Sequence, residues 1–114
     1  MINVRRVYED AESGDGFRIL VDKLWPRGLS KEKAKVDLWL KEIAPSDRLR
    51  RWFSHDPRKW EAFQKRYAKE LASKKGLLKE ISEIEREKGT VTLLFSAKEE
   101  RYNNAVALRN TLKP

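Results

Sequence analysis

The chain has 114 residues, 39% of them hydrophobic and 39% charged, with a net charge of +8 and no cysteine. That length holds one domain with a real core and not two, while the missing cysteines exclude disulfides, thiol catalysis and thiolate-held zinc, and the lone histidine excludes a multi-histidine metal site. The charged fraction stands well above the roughly 25% of ordinary globular chains, but the signs are interleaved, and four Trp, four Phe and three Tyr supply apolar area, so disorder is a poor reading. The positive balance favours anionic partners such as phosphorylated metabolites, nucleotides or nucleic acid without specifying one. No long apolar run and no secretory leader pattern is present, which points away from membranes and towards the cytoplasm. Abundant Lys and Glu, one Met and no Cys fit a heat-adapted source.

In chain order, Ile2 to Tyr8 reads as a first strand with Ile2 and Val4 on one face. Glu9 to Gly16 is polar and ends in Ser-Gly-Asp-Gly, a turn signal with no helical pattern, so the link onward is a loop or a hairpin rather than a crossover helix. The next strand starts at Phe17, and its Ile19, Leu20 and Val21 form a continuous β-branched and aliphatic run, the mark of a strand covered on both faces. It is stopped by the charged segment Asp22 to Gly28, where Pro26 keeps Trp25 out of helical conformation. Ser30 suits the cap of a short helical turn over Lys31 to Lys35. Val36 to Ile43 alternates with a period of two and reads as a strand or extended segment, with a helix as the alternative.

Ala44-Pro45 breaks the chain, and Ser46 is a good N-cap for a helix from Asp47 to Phe53. Asp56-Pro57 is the clearest helix start, with Asp as cap and Pro in the first turn. Trp60, Phe63, Tyr67 and Leu71 then form one apolar stripe. Gly76 fits the end of that helix. Leu77, Leu78, Ile81 and Ile84 make a second amphipathic helix closed by Gly89. Thr90 to Phe95 is the second buried strand, Ser96 to Glu100 a polar loop, and Arg101 to Leu112 a closing helix with Tyr102, Ala105, Leu108 and Leu112 on its inner face. The fold class is therefore α/β: one small domain over 1–114 with a mostly parallel sheet, flanking helices and a first strand joined by a loop or hairpin.

Two buried strands thus end in polar loops, the place where open α/β sheets hold ligands. If those strands are parallel neighbours, Asp22, Lys23 and Arg27 of one loop meet Lys98 of the other, beside Asn103 and Asn104 in the first turn of the closing helix. Free backbone N–H groups there, with Lys98 and Arg27, outline an anion pocket; no P-loop or G-x-G-x-x-G is present, and no cofactor is indicated. Asp22 suits a general base or metal ligand, or else simply bonds backbone N–H groups nearby. Arg27 suits an anion clamp, or a structural ion pair with Asp22 or Glu99. His55 is the natural proton shuttle, or a staple-like packing partner of Trp60 at the helix entrance. Trp25, Trp52 and Trp60 suit either base stacking or the core.

The runs GFRILVDKLWPRG (Gly16 to Gly28), WLKEIAP (Trp39 to Pro45), SHDP (Ser54 to Pro57), RYAKEL (Arg66 to Leu71) and TLLFSAKEERYNNA (Thr90 to Ala105) resemble the short, YeaO-like branch of the domain-of-unknown-function 488 family over nearly the whole chain. The resemblance implies an α/β sheet protein and no established activity. It also implies that longer relatives carry a Cys-His-Arg run where this chain reads Arg101-Tyr102-Asn103-Asn104, so their thiol chemistry does not transfer. Short members more usually have Arg in place of Lys23 and His in place of Tyr102. The first substitution keeps charge but loses a bidentate fork, and the second removes a second proton-transfer group.

Two functions compete. In one, a small enzyme or ligand-binding protein takes a phosphate- or carboxylate-bearing molecule, with Arg27, Lys98 and Lys23 on the anion, Asn103 and Asn104 orienting it, and Asp22 or His55 moving a proton. In the other, the basic face of the Pro57 to Lys75 helix binds nucleic acid, against which stands the interleaving of Glu61, Glu70, Glu80 and Glu83. A non-catalytic interaction protein is the third reading.

Overall fold

The computed structural model describes residues 1–114. Four strands, β1 (Ile2–Arg6), β2 (Phe17–Leu20), β3 (Leu38–Trp39) and β4 (Val91–Phe95), form one sheet in the order β1-β4-β2-β3. Every neighbouring pair is parallel, with Ile2 opposite Val91, Phe17 opposite Val91 and Ile19 opposite Leu38. The last strand in sequence therefore lies between the first two. Because β1 and β2 both run parallel to β4, the hairpin alternative for their connection is excluded; the chain crosses in a loop with one 3-10 turn at Ser13–Asp15. The two apolar runs that looked covered on both faces are so: β4 is buried throughout, as are Ile19, Leu20 and Val21.

The period of two sorts their side chains into two cores. Ile19, Val21, Val91, Leu93 and Phe95 join the larger cluster, covered by α2 (Asp47–Phe53), α3 (Trp60–Leu71), α4 (Lys75–Lys88) and α5 (Asn104–Leu112). Leu20 and Leu94 face the other side, with Val7 and with Ala34 of the short α1 (Lys31–Ala34). On that thinner side the sheet is closed by a polar cluster. Arg18, 4% exposed, donates to the carbonyls of Ala34 and Lys35 at 2.9 and 3.0 Å and pairs with Asp15.

Local capping is as the residue types dictate. Ser30, Ser46 and Asp56 accept from the N–H groups of Lys33, Leu49 and Arg58, and Gly89 ends α4 at φ 87°. Several boundaries differ from expectation: β1 ends at Arg6 rather than Tyr8, and Asp56-Pro57 opens a 3-10 turn over Pro57–Lys59 that leads into α3. Gly76 lies inside the first turn of α4, not at the end of α3. Val36 to Ile43 contributes only two strand residues before a 3-10 turn at Lys41–Ile43. The closing helix starts at Asn104, after its cap Asn103. No helix is long and apolar enough to cross a membrane.

Candidate functional site

All four strands point the same way, so their C-terminal ends lie along one edge, the place where a doubly covered parallel sheet leaves a crevice. Past Leu20, the N–H of Val21 still donates to the Leu94 carbonyl at 3.1 Å, and Asp22 then reaches across to the end of β4. One carboxylate oxygen of Asp22 accepts from the N–H and the hydroxyl of Ser96 at 2.8 and 2.7 Å. The other accepts from the Asn104 amide at 3.1 Å, which also donates to the Val21 carbonyl. Asp22 thus joins β2, β4 and α5, as a strand-end aspartate bonding its neighbours.

A cleft of about 750 Å3 opens beside this junction. Ala44, Pro45, Phe53 and Phe63 give it an apolar floor. Arg6, Lys23, Arg27, Arg50 and Lys98 also line it, and Asp22 is its one carboxylate. Lys23 and Arg50 share Asp47, at 2.9 and 3.1 Å; the hydrogen bond and charge of Lys23, reinforced by Arg50 and Arg51, hold the Asp47 carboxyl below the usual carboxylate range. Arg27 and Lys98 are exposed and carry no ion pair, so the expected alternative of a bridge from Arg27 to Asp22 or Glu99 is not formed. The Arg27 turn is held instead through its carbonyl, which accepts from the Tyr8 hydroxyl at 2.8 Å.

His55 reaches the cleft by an unusual backbone path, with Ser54 and His55 at φ 46° and 55°. Its Nδ1 lies 3.2 Å from the Tyr102 carbonyl oxygen. A carbonyl only accepts, so this contact is a hydrogen bond when Nδ1 carries a proton, and in that tautomer Nε2 is an acceptor. The ring packs on Phe53 at 5.7 Å, whereas Trp60 packs on Phe53, Phe63 and, edge-on, Tyr102; the staple from His55 to Trp60 is therefore not formed.

Of the seven residues singled out from sequence, Asp22, Lys23, Arg27, His55, Lys98 and Asn104 line this cleft. Asn103 does not. It is fully buried, its Oδ1 accepts from the Val106 N–H at 3.0 Å and its amide donates to the Glu99 carbonyl at 2.8 Å, so both ends of the side chain are taken by capping. Trp25 forms part of the cleft wall, its indole donating to the Leu29 carbonyl at 2.6 Å. Trp52 lies under the Arg66 guanidinium at 4.0 Å, and neither it nor Trp60 lines the cleft. Sequence reasoning missed Arg6, Tyr8, Arg50 and Ser96. For Arg6 a signal existed, since it ends a strand just as Asp22 follows one; Arg50 carries none.

The profile of the family described as "Inactive DUF488-N3 subclade" matches residues 1–114. The chain belongs to the DUF488 family, in its YeaO-like branch. This DUF488 chain is 42% identical over 112 residues to the uncharacterized protein YeaO of Escherichia coli, covering 98% of this chain and 96% of that protein. A 70-residue stretch is 46% identical to the uncharacterized protein Rv3073c of Mycobacterium tuberculosis, covering 61% of the DUF488 chain and 59% of that relative. No solved structure matches it.

Proposed function

We propose that this DUF488 protein binds an anionic small molecule, bearing a phosphate or a carboxylate, in the cleft at the C-terminal edge of its sheet. One observation carries the reading: five cationic side chains line the cleft, and its one carboxylate is engaged on both oxygens by Ser96 and Asn104. Arg27 and Lys98, free of ion pairs, hold the anion, Lys23 and Arg50 add positive potential at the rim, and His55 offers Nε2 to a ligand donor. A cleft of this volume suits a metabolite or mononucleotide.

Binding without turnover is the version we favour. The matching subclade is described as inactive, and the one acid in the cleft spends both oxygens on the protein's own frame. Asp22 then shapes the cleft and moves no proton.

The test is a thermal-shift series with inorganic phosphate, dicarboxylates, mononucleotides and short oligonucleotides. A ligand at a hundred times its dissociation constant adds about 2.7 kcal/mol, a rise of roughly 10 °C for a domain of this size. The expected result is a shift from a small anion that Arg27→Ala and Lys98→Ala each diminish. A shift from oligonucleotides alone, fading steeply with salt, would replace this reading with nucleic-acid binding.

A further inference from the structure

Three arginines stand close together on the first two strands, and they are treated very differently. Arg5 and Arg18 spend their guanidinium groups on Asp15 and on nearby carbonyls. Arg6, the last residue of β1, is held without being consumed. Its Nε donates to the carbonyls of Ser96 and Ala97 at 3.2 and 3.0 Å, and its guanidinium carbon lies over the Tyr8 ring, 4.7 Å from the centroid. Tyr8 is itself anchored through its hydroxyl to the Arg27 carbonyl. Both terminal nitrogens of Arg6 are left without an acceptor in the protein.

Such a guanidinium has its orientation fixed on one edge and one face, while the two remaining N–H-bearing nitrogens stay open. That is the preorganised form of the fork that pairs with two oxygens of one carboxylate or phosphate. Arg6 also forms the partition between the main cleft and a smaller hollow of about 190 Å3, whose walls include Glu9 and Glu100. Arg5 and Arg109 stand there too, but only the main cleft sets Arg6 beside Arg27 and Lys98, which carry no ion pair, and that is the side on which its open nitrogens complete a set of anion-binding groups.

We infer that Arg6 is the specificity-determining residue of the cleft: it selects oxoanions presenting two acceptor oxygens, a carboxylate or a phosphoryl group, by bidentate pairing. This rests on the anion-binding reading above and adds what it does not contain, a geometric requirement on the ligand. Arg27 and Lys98 supply charge; Arg6 supplies shape.

The experiment is an amide-resolved NMR titration of the full chain with inorganic phosphate and, separately, acetate, at constant ionic strength made up with chloride. Amides of Ser96, Ala97 and Arg27 are the reporters. Arg6→Lys keeps the charge and loses the fork, and it is expected to weaken phosphate about tenfold, the loss of one charge-assisted hydrogen bond. Because that variant also gives up the bonds to Ser96 and Ala97, Tyr8→Leu serves as a second one, read against Tyr8→Phe: both lose the hydroxyl bond to the Arg27 carbonyl, only Leu removes the ring beneath the guanidinium, and Leu should bind phosphate about threefold more weakly than Phe. Acetate responding in parallel assigns carboxylates to the site, and phosphate alone assigns phosphoryl groups. If phosphate binds, and Arg6→Lys binds it as the wild type does and Tyr8→Leu as Tyr8→Phe does, charge suffices and the role of Arg6 is overturned while anion binding stands. If neither anion moves the reporters in the wild type, the anion-binding reading itself fails, and the role of Arg6 with it.

Discussion

Ser96 donates twice to the same oxygen of Asp22, from its backbone N–H at 2.8 Å and its hydroxyl at 2.7 Å. The two residues sit 74 positions apart in sequence and follow neighbouring parallel strands, so the pair closes the sheet edge at the point where the chain leaves it on both sides. With Asn104 on the other oxygen, a single carboxylate sets the distance between the two loops that carry Arg27 and Lys98. The cleft is therefore built on Asp22 even if nothing binds to Asp22.

Replacing that carboxylate by an amide tests the relationship. Asp22→Asn leaves one oxygen for Ser96, but the new amide nitrogen faces the Asn104 amide, donor against donor. If Asn104 turns its oxygen inward, the Val21 carbonyl loses its partner. A loss of about 1–3 kcal/mol is expected, read as a melting temperature lower by several degrees, with Ser96→Ala milder because the backbone bond survives. A variant as stable as the wild type would mean that the edge is held by the strands alone.

Asp15 is the counterpart on the opposite, thinner face. Burial by itself would raise its pKa. The N–H of Glu12 and the guanidinium groups of Arg5 and Arg18 outweigh that and hold it below the usual carboxylate range. A folded pKa below the unfolded one gives stability that is present at neutral pH and is lost as pH falls through the folded value. Asp15→Asn should cost about 3 kcal/mol at neutral pH, since it leaves Arg18 buried without its charge partner. In urea unfolding, the gap between variant and wild type should narrow as pH drops towards about 3, below the ordinary aspartate value. A gap independent of pH would remove the electrostatic account.

What the sequence made legible were features decided within a few residues. The aliphatic runs of β2 and β4, the caps at Ser46 and Asp56, and the positive φ at Gly89 each follow from local chemistry. Features decided by distant partners were not legible. Whether the polar Glu9 to Gly16 segment is a hairpin or a crossing loop depends on β4 inserting between β1 and β2, some eighty residues later. Gly76 resembles a helix terminator, but α3 already ends at Leu71, and Lys74, whose ammonium reaches back to the Ala44 carbonyl at 3.2 Å, stands between the two helices. Asn103 and Asn104 look equivalent in sequence, yet one caps α5 and the other reaches Asp22. In the site, charge type was legible and the orientation of Arg6 was not, because it is set by the carbonyls of Ser96 and Ala97 and by the Tyr8 ring.

Two glycines separate backbone necessity from coincidence. Gly16 has φ 64°, and a Cβ there would lie 2.3 Å from the Thr90 carbonyl oxygen, the same oxygen that accepts from the Phe17 N–H at 3.0 Å as β2 begins. Gly16→Ala is expected to cost more than about 2 kcal/mol, through both the left-handed backbone and the clash. Gly76, in the first turn of α4, has nothing within 4 Å of such a Cβ. Gly76→Ala should instead stabilise by about 0.4–1 kcal/mol by restricting the unfolded chain. Chemical denaturation of the two variants checks both signs at once; destabilisation by Gly76→Ala would mean that its place in α4 needs glycine.

Tyr67 gives the alkaline counterpart to Asp15. Its ring is fully buried, tilted against Phe63 in the core, and its hydroxyl donates to the Ile43 carbonyl at 2.6 Å. Burial pushes the phenol far above its ordinary range, and the charges of Glu70 and Asp22 push the same way. A folded pKa raised above the unfolded one contributes stability that is complete below the unfolded value of about 10 and is lost as pH rises beyond it. Ionisation of Tyr67, followed by ultraviolet absorbance, should therefore coincide with unfolding rather than precede it. Tyr67→Phe should be less stable at neutral pH by about 1–2 kcal/mol, because the Ile43 carbonyl loses its donor, and yet should lose less stability than the wild type as pH is raised further. Parallel losses in the two proteins would show that alkaline unfolding is driven by other groups, and that this phenol ionises as freely folded as unfolded.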